Sequence, residues 1–431
     1  MFENYFSLIT TTVLQILKNW WWLPLPFILL KPFLFHYKWW RIQIFLSKHP
    51  KVVLEIKLPK EVLKPIRAME EVMASIHGGT YKPADRWEKW IDGEVQLSTH
   101  FELVSIDGNP HFFIRTPRHS KDIIEASIYA QYPEAEISEV DDYVKAVPQN
   151  LPNKDWDMFG SDYKFLLPDH YPIKTYQKFE TEHETKEEKR VDPLASLLEG
   201  FSKLKPGEQF WVQIQEDPVS EKPKDEWVAK GKKLRDKLAR RLEKPKTKPI
   251  IQEMAEILFT GKVGEPPVEK DIIPPEMKLT PGEREIVAAI EQKMSKPIFE
   301  VNIRFIYLGK KEVWYQNNWR LAMSFFNNFM TLNLNGLVPL GRTLSKIHKS
   351  LFLPFNIIRD RRRYLRKRRL FRNYIRRDVP FYPLRGGTFK LNTEEMASLF
   401  HFPSKTVVPT PGVSRVEAKK GGASSLELPI E

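Results

Sequence analysis

The alternation of apolar and polar positions between residues 52 and 142 predicts a regular series of elements. Period-two segments such as VVLEIKLP and HFFIRT indicate strands, whereas PKEVLKPIRAMEEVMASIHG and SKDIIEASIYAQY carry the apolar spacing of amphipathic helices. The turn at Asp107-Gly108 falls where a central hairpin reverses the chain. The resulting order, βαββαβ, predicts a ferredoxin-like α/β sandwich over residues 51–145.

Residues 160–340 repeat this pattern less regularly. Strand-like segments near residues 163–179, in FWVQIQEDP and in PIFEVNIRFIYLG alternate with helix-like segments, and residues 221–297 are rich in Lys, Glu and Pro. We predict a second ferredoxin-like unit with a charged helical insertion at 221–297. An α+β region without that topology fits the pattern equally well.

The first 45 residues are apolar over most of their length and predict a membrane anchor. Tryptophans bracket the stretch on both sides, as in a transmembrane helix, but Lys31 and three prolines oppose a straight span. A tilted single-pass span and an interfacial helix followed by a Pro-kinked span therefore both stay open. The basic residues that follow predict a cell-membrane protein whose bulk is cytoplasmic. The predicted membrane-interface residues are Trp20, Trp21, Trp22, Trp39, Trp40 and Arg41.

One short region carries almost all of the net charge. Residues 342–378 hold eleven Arg and three Lys against two Asp, a balance of +12, while the whole chain has a formal net charge of +13. On a helix, the apolar residues of RRRYLRKRRLFRNYIRR fall within an arc of about 140°. We predict that Phe371, Tyr374 and Ile375 pack inward, and that an anionic partner binds Arg361, Arg362, Arg366, Arg369, Arg372 and Arg376.

Three kinds of partner fit this basic helix, and a purely structural face fits it too. Arginine pairs bidentately with lipid headgroup phosphates, with the carboxylates of an acidic protein and with nucleic-acid phosphates. The sequence pattern alone leaves these alternatives open. Residues 341–378 are therefore assigned as a basic helix region, and residues 379–431 as a short strand and helix followed by a flexible linker.

The residue types that carry catalysis or bind cofactors are missing in the required patterns. The chain has no Cys, which excludes disulfides and thiolate metal sites, and its ten His form no HxH or HxxxH pair. The Gly-Lys pairs at Gly231, Gly261 and Gly309 lack the rest of a phosphate-binding loop. The adjacent carboxylates Asp141 and Asp142 are typical of a solvated loop. We therefore predict a protein without catalytic activity, cofactor or metal.

Several segments occur in an order that points to a known family. They are NWWWLPLPFILLKPFLF, IRTPRHSKDIIEASIYAQYPEAEI, RRLFRNYIRR and FKLNTEEMASLFHFP. Together they resemble the N-terminal half of bacterial membrane-anchored motor ATPases of the type IV secretion and conjugation kind, in the FtsK and HerA class. In that family the segment matching Leu391 to Pro403 precedes the ATPase core, whereas this chain ends at Glu431, about where the core would begin.

The patterns along the chain predict the fold, and the resemblance implies a role. The predicted fold is α+β, with an N-terminal transmembrane segment followed by two ferredoxin-like units. The resemblance implies a non-enzymatic, membrane-anchored accessory or assembly domain of a translocation motor. The implied partners are membrane lipid, a companion ATPase chain, DNA and further copies of this chain. A membrane-tethered nucleic-acid-binding protein is the alternative function.

Overall fold

The computed structural model describes most of the chain. The described residues are 11–12, 14–15, 18–20, 22–23, 25–59, 64–179, 192–219, 226–240, 279–349, 351, 356, 358–378, 387–403 and 415–416. They form two compact units. One comprises residues up to 51 together with 82–97, and the other comprises 52–81 and the residues from 98 onward.

Ten strands and nine helices are described below under these labels. The strands are β1 Lys51–Pro59, β2 Thr99–Ile106, β3 Asn109–Pro117, β4 Glu136–Val140, β5 Trp156–Phe165, β6 Glu208–Val219, β7 Ile298–Lys310, β8 Leu337–Pro339, β9 Thr388–Asn392 and β10 Arg415–Val416. The α-helices are α1 Leu25–Lys48, α2 Ile66–Thr80, α3 Lys121–Gln131, α4 Ala195–Ser202, α5 Glu226–Leu238, α6 Pro281–Ser295, α7 Arg320–Asn327, α8 Arg359–Arg376 and α9 Thr393–Leu399.

The strands of the larger unit join in one largely antiparallel sheet. Its order is β10-β1-β3-β2-β6-β7-β5-β8, with β4 beside β1 and β9 beside β7. The α+β class is therefore confirmed. The first half has the order β4-β1-β3-β2, and the second half has the corresponding order β8-β5-β7-β6. The two halves are not separate sandwiches, because β2 pairs with β6 along its whole length, from Thr99 opposite Glu216 to Ile106 opposite Gln209.

The two faces of this sheet carry different elements. Apolar residues of α2, α3, α4, α7 and α9 form the larger core on one face, with Met69, Ile128 and Phe325 all buried. The amphipathic spacing seen in the sequence places these residues on the inner side of each helix. On the opposite face, α8 packs against β2, β6, β7 and β5 through a smaller core. This second face positions the basic helix.

The segment between Thr388 and Leu399 folds as its sequence predicts. The strand β9 runs directly into α9, and the side chain of Asn392 accepts a hydrogen bond from the Glu395 amide at 2.8 Å. The Glu395 carboxylate in turn accepts from the Asn392 amide at 3.0 Å. This reciprocal capping box satisfies amide groups that a helix start otherwise leaves unpaired. Every residue of α9 is buried.

The smaller unit contains α1 and a π-helical turn at Glu88–Asp92. Gly93 follows that turn with φ 72°, and a Cβ at this position would lie 2.3 Å from the carbonyl carbon of Arg41. The Nζ of Lys38 lies 5.9 Å from the centre of the Trp90 ring. Glycine therefore permits the close approach of the turn to α1.

The predicted transmembrane segment is wrong. Among the described helices, none combines the length and the apolar character that crossing a bilayer requires. The helix α1 has 24 residues, but Lys31, Lys38 and Arg41 interrupt it, and its Trp, Tyr and Pro residues make it less apolar than an aliphatic span. The predicted cell-membrane location of the anchor is overturned by the same finding.

Some sequence predictions lie partly outside the described residues. Of the insertion predicted at 221–297, the structure describes α5, α6 and their immediate flanks, while residues 241–278 lie outside the described part. The linker predicted after residue 403 also lies outside it, apart from β10.

Candidate functional site

The basic helix α8 is seated by an apolar stripe on its inner side. Leu370, Phe371 and Tyr374 are buried, and Ile375 packs at the edge of the same core. The ring of Tyr374 lies 5.2 Å from that of Trp211, measured between centroids. The predicted inward packing of the apolar stripe is therefore confirmed. The strand below is adapted to the helix, because a Cβ at Gly160 would lie 2.9 Å from Leu370 Cδ2.

A buried arginine holds the C-terminal end of α8. Arg377 ends the helix in the left-handed conformation, with φ 54°, and its side chain is 1% exposed. Its Nε donates to Glu102 Oε1 at 3.0 Å, and its Nη1 donates to Asp142 Oδ2 at 2.6 Å. The second guanidinium nitrogen, Nη2, donates to both carboxylates as well. One guanidinium thus forms a bidentate pair with each of two carboxylates.

Further hydrogen bonds complete this buried polar group. Glu102 accepts from the Tyr143 hydroxyl at 2.9 Å and from Gln213 Nε2 at 2.6 Å. The Tyr143 hydroxyl also lies 2.7 Å from the Tyr374 hydroxyl. We call Glu102, Asp142, Tyr143, Tyr374 and Arg377 the C-terminal anchor of α8. Its members come from β2, the segment after β4 and the helix itself, so it ties the helix to the sheet.

The charged groups of the anchor shift one another's pKa values. Burial alone would lower the pKa of Arg377, but the adjacent carboxylates Glu102 and Asp142 raise it above its usual value. Burial likewise opposes ionisation of Asp142, yet the hydrogen bonds and charge of Arg377 lower the pKa of that carboxyl. Both groups are therefore charged at neutral pH.

A second buried arginine meets the same helix end. Arg304 on β7 donates from Nε to Asp162 Oδ1 at 3.0 Å and from Nη1 to the carbonyl oxygen of Asn373 at 2.7 Å. Its Nη2 donates to the carbonyl oxygen of Asp378. A cation at this position also complements the negative end of the helix dipole. The backbone carbonyls of Asn373 and Asp378 at this helix end thus receive donors from the sheet.

The outer side of α8 is covered by arginine. Arg361, Arg362, Arg368, Arg369, Arg372 and Arg376 are exposed, and at 100° per residue they lie within an arc of about 120° opposite the buried stripe. We call these six residues the arginine face. Among the described residues, no carboxylate lies within ion-pair distance of Arg361, Arg362, Arg368, Arg372 or Arg376.

The arginine face differs from the six predicted arginines by one exchange, because it contains Arg368 and lacks Arg366. Five of the six predicted residues are exposed, but Arg366 is half-buried and its Nη1 donates to the carbonyl oxygens of Gly341 and Leu344 at 3.2 and 3.3 Å. Burial lowers the pKa of Arg366, and the charge of Arg362 lowers it further. Arg368 takes its place. Its helical angle, close to those of Arg361 and Arg372, is the signal that identifies it in the sequence.

The predicted membrane-interface residues that the structure describes lie in the smaller unit. Trp20, Trp22, Trp39 and Trp40 are between 52% and 56% exposed, and Arg41 is half-buried. Trp21 lies outside the described residues. Within the part of the chain that the structure describes, no group of three or more His, Asp or Glu side chains could hold a metal ion.

The fold and the site define a class of protein: an α+β domain whose central sheet supports an outward-facing arginine helix. The chain belongs to the family described as a domain of unknown function (DUF8128), which it matches over residues 46–414. That range includes the whole sheet except β10, and all of α8. No curated protein matches the chain.

Proposed function

We propose that this protein is a non-enzymatic DNA-binding accessory domain of a translocation motor, and that the arginine face of α8 binds the DNA backbone. The observation that carries the proposal is the concentration of cations on one outward side of an anchored helix. Five of those arginines have no carboxylate partner among the described residues. Exposed charges of one sign repel each other, and an anionic partner removes that repulsion.

The geometry of the arginine face favours a linear polyanion. Arg361 and Arg376 are fifteen residues apart, which places them about 22 Å from each other along the helix axis. A DNA duplex offers phosphates along its whole length, with about 3.4 Å of rise per phosphate on each strand. Several arginines can therefore contact one backbone together, and the guanidinium fork matches each phosphate bidentately. Such contacts are independent of base sequence.

The anchor supports this function because it fixes the helix before the partner arrives. Arg377 and Arg304 hold the C-terminal end, and the salt bridge from Lys367 Nζ to Asp157 Oδ1, 2.6 Å long, holds the middle. The arginines thus project from a backbone that is already ordered. Less conformational freedom is lost on binding than when a disordered basic segment folds on its partner.

The motor context rests on the resemblance to FtsK- and HerA-class ATPases. A domain that contacts the DNA backbone without regard to sequence suits a motor that moves along DNA. The companion ATPase chain supplies the hydrolysis, and this chain supplies DNA contacts. We expect the full-length protein to co-purify with such an ATPase when the two are co-expressed.

The test of DNA binding is a fluorescence anisotropy titration of the full chain with a labelled, blunt 20-base-pair duplex. The variant carries Arg361→Gln, Arg368→Gln, Arg372→Gln and Arg376→Gln. The matched control removes four other exposed cations, with Lys145→Gln, Lys203→Gln, Lys232→Gln and Lys233→Gln. We expect the arginine variant to lose at least tenfold in affinity at about 100 mM salt and the control to lose less than threefold. Equal losses would show that only net charge matters and would refute the proposed interface.

A further inference from the structure

A groove lies beside the N-terminal half of α8, separate from the arginine face. Its volume is about 440 Å³, within the range of about 300–1,000 Å³ typical of small-molecule sites. Residues from three parts of the sequence line it: the loop before β5 with the start of that strand, the residue after β7, and one side of the first turns of α8. At these turns the buried stripe of the helix gives way to Arg363, Tyr364 and Lys367.

The walls of the groove are fixed by hydrogen bonds within the protein. The side chain of Asn153 accepts from the amides of Asp155 and Trp156 at 2.9 and 2.8 Å, which sets the loop that carries Lys154. The Lys311 amide donates to the Asp155 carbonyl at 2.8 Å and joins this loop to the end of β7. The groove therefore exists without a ligand.

The groove has an excess of positive charge. Lys154, Lys311, Arg363 and Lys367 line it, against Asp157 and Asp360. Asp157 pairs with Lys367, and Asp360 pairs with Arg363 at 3.5 Å. Lys154 and Lys311 are exposed, and no described carboxylate forms an ion pair with either. Burial lowers the pKa of Lys367, and the charges of Arg363 and Lys311 lower it further, so the cations of the groove repel each other.

An aromatic ring stands beside these cations. Tyr364 is 41% exposed and lines the groove. A phosphate alone would satisfy the lysines but leave this ring unused, whereas a nucleotide has both a phosphate and a planar base. Proteins that hold unpaired bases combine cations along the backbone with aromatic rings on which bases stack.

We infer that the groove binds an unpaired nucleotide of single-stranded DNA, with its base stacked on Tyr364 and its phosphate held by Lys154 and Lys311. The inference rests on the proposed function, because the arginine face brings the strand to the groove. The groove adds a preference for single-stranded over duplex DNA, which the arginine face alone does not create. The bases of an intact duplex are stacked and paired, so they do not reach Tyr364.

The experiment measures binding of two labelled probes by the full chain: a dT12 single strand and a blunt-ended DNA hairpin whose loop is a hexaethylene glycol linker, so that it contains no unpaired base. The variants are Tyr364→Ala, Tyr364→Phe and the double variant Lys154→Gln with Lys311→Gln. Tyr129→Ala is the matched control, because Tyr129 is 39% exposed on α3 and does not line the groove. These four side chains are exposed, so the fold should tolerate their replacement.

We expect Tyr364→Ala to weaken dT12 binding about tenfold, and Tyr364→Phe to restore it, because stacking requires the ring and not the hydroxyl. The double lysine variant should weaken dT12 binding by a similar factor. Tyr129→Ala should bind as the wild type does, and hairpin binding should change less than twofold in every variant.

Two outcomes separate this inference from the proposed function. Hairpin binding that depends on the arginine face, together with dT12 binding that the groove variants leave unchanged, overturns the groove site alone. Absence of hairpin binding by the wild type overturns the proposed function. If in that case dT12 binding still falls in Tyr364→Ala and returns in Tyr364→Phe, the groove site is supported without the proposed function. Equal loss of both probes in Tyr364→Ala also overturns the groove site.

Discussion

The guanidinium of Arg377 and the carboxylate of Glu102 form a fully buried ion pair between residues that are 275 positions apart in sequence, with Nε 3.0 Å from Oε1. Arg377 belongs to the most basic segment of the chain, yet it faces inward. Its position at the end of α8 makes it the fixed point of that helix, while its neighbour Arg376 is exposed.

Replacement of Arg377 with Ala should destabilise the protein strongly. The change leaves the buried Glu102 and the partly buried Asp142 without their shared partner, and breaking a buried ion pair from one side costs about 3–5 kcal/mol. Arg376→Ala is the control and should change the free energy of unfolding by less than about 0.5 kcal/mol. Urea denaturation measures both. Similar losses in the two variants would contradict the anchor.

Replacement of Gly160 with Ala should disturb the seat of α8. The new Cβ would lie 2.4 Å from the carbonyl oxygen of Phe305 and 2.9 Å from Leu370 Cδ2, so the strand or the helix must move. Overpacking of this kind typically costs about 1–3 kcal/mol. Gly282→Ala is a suitable control because, apart from its chain neighbours and the nearby backbone of its own helix, no atom lies within 4 Å of the Cβ it would add. Thermal unfolding of both variants tests the prediction, and an unchanged midpoint for Gly160→Ala would refute it.

The anchor should make stability depend on pH on the acid side. The folded pKa of Asp142 is lowered, so the unfolded chain binds more protons, and the contribution of Asp142 is fully present above its unfolded pKa of about 4. It is lost as the pH falls through the folded pKa. We therefore expect Asp142→Asn to be less stable than the wild type at pH 7 and the difference to shrink below about pH 4. Urea titrations across this range measure it, and a constant difference would contradict the assignment.

The number of arginines that contact DNA should appear in the salt dependence. If all six residues of the arginine face contact phosphates, the logarithm of the affinity should fall with the logarithm of salt concentration with a slope of about −5. Each single change, such as Arg372→Gln, should reduce the slope by about one. Arg366→Gln should leave it nearly unchanged, because the guanidinium of Arg366 is bound to backbone carbonyls. An equal effect of Arg366 and Arg372 would contradict the distinction.

The sequence predicts what depends on local spacing. The inward stripe of Phe371 and Tyr374 follows from helical periodicity. Helical periodicity also predicts five of the six exposed arginines correctly. Arg366 is the exception, because its side chain donates to the carbonyls of Gly341 and Leu344, and periodicity contains no information about that segment.

The features that sequence reasoning missed all depend on distant partners. The anchor joins Arg377 to β2, and the groove needs the loop near Lys154 beside the first turns of α8. The two halves of the sheet are joined by the pairing of β2 with β6, and no local sequence pattern specifies that these two strands pair. The membrane anchor was predicted from aromatic residues at belt-like spacing, but Lys31, Lys38 and Arg41 make α1 too polar for a span.

The pairing of β2 with β6 also bears on how the chain is synthesised. Glu102 and its facing residue Gln213 are 111 positions apart, so β2 is made long before the strand that covers its edge. Until β6 emerges from the ribosome, the N-terminal half has an uncovered edge at a strand that is almost entirely buried in the finished protein. Such an edge readily pairs with other chains. The N-terminal half on its own is thus a poor candidate for expression, and the interval before β6 appears is the time when the nascent chain most needs protection from aggregation.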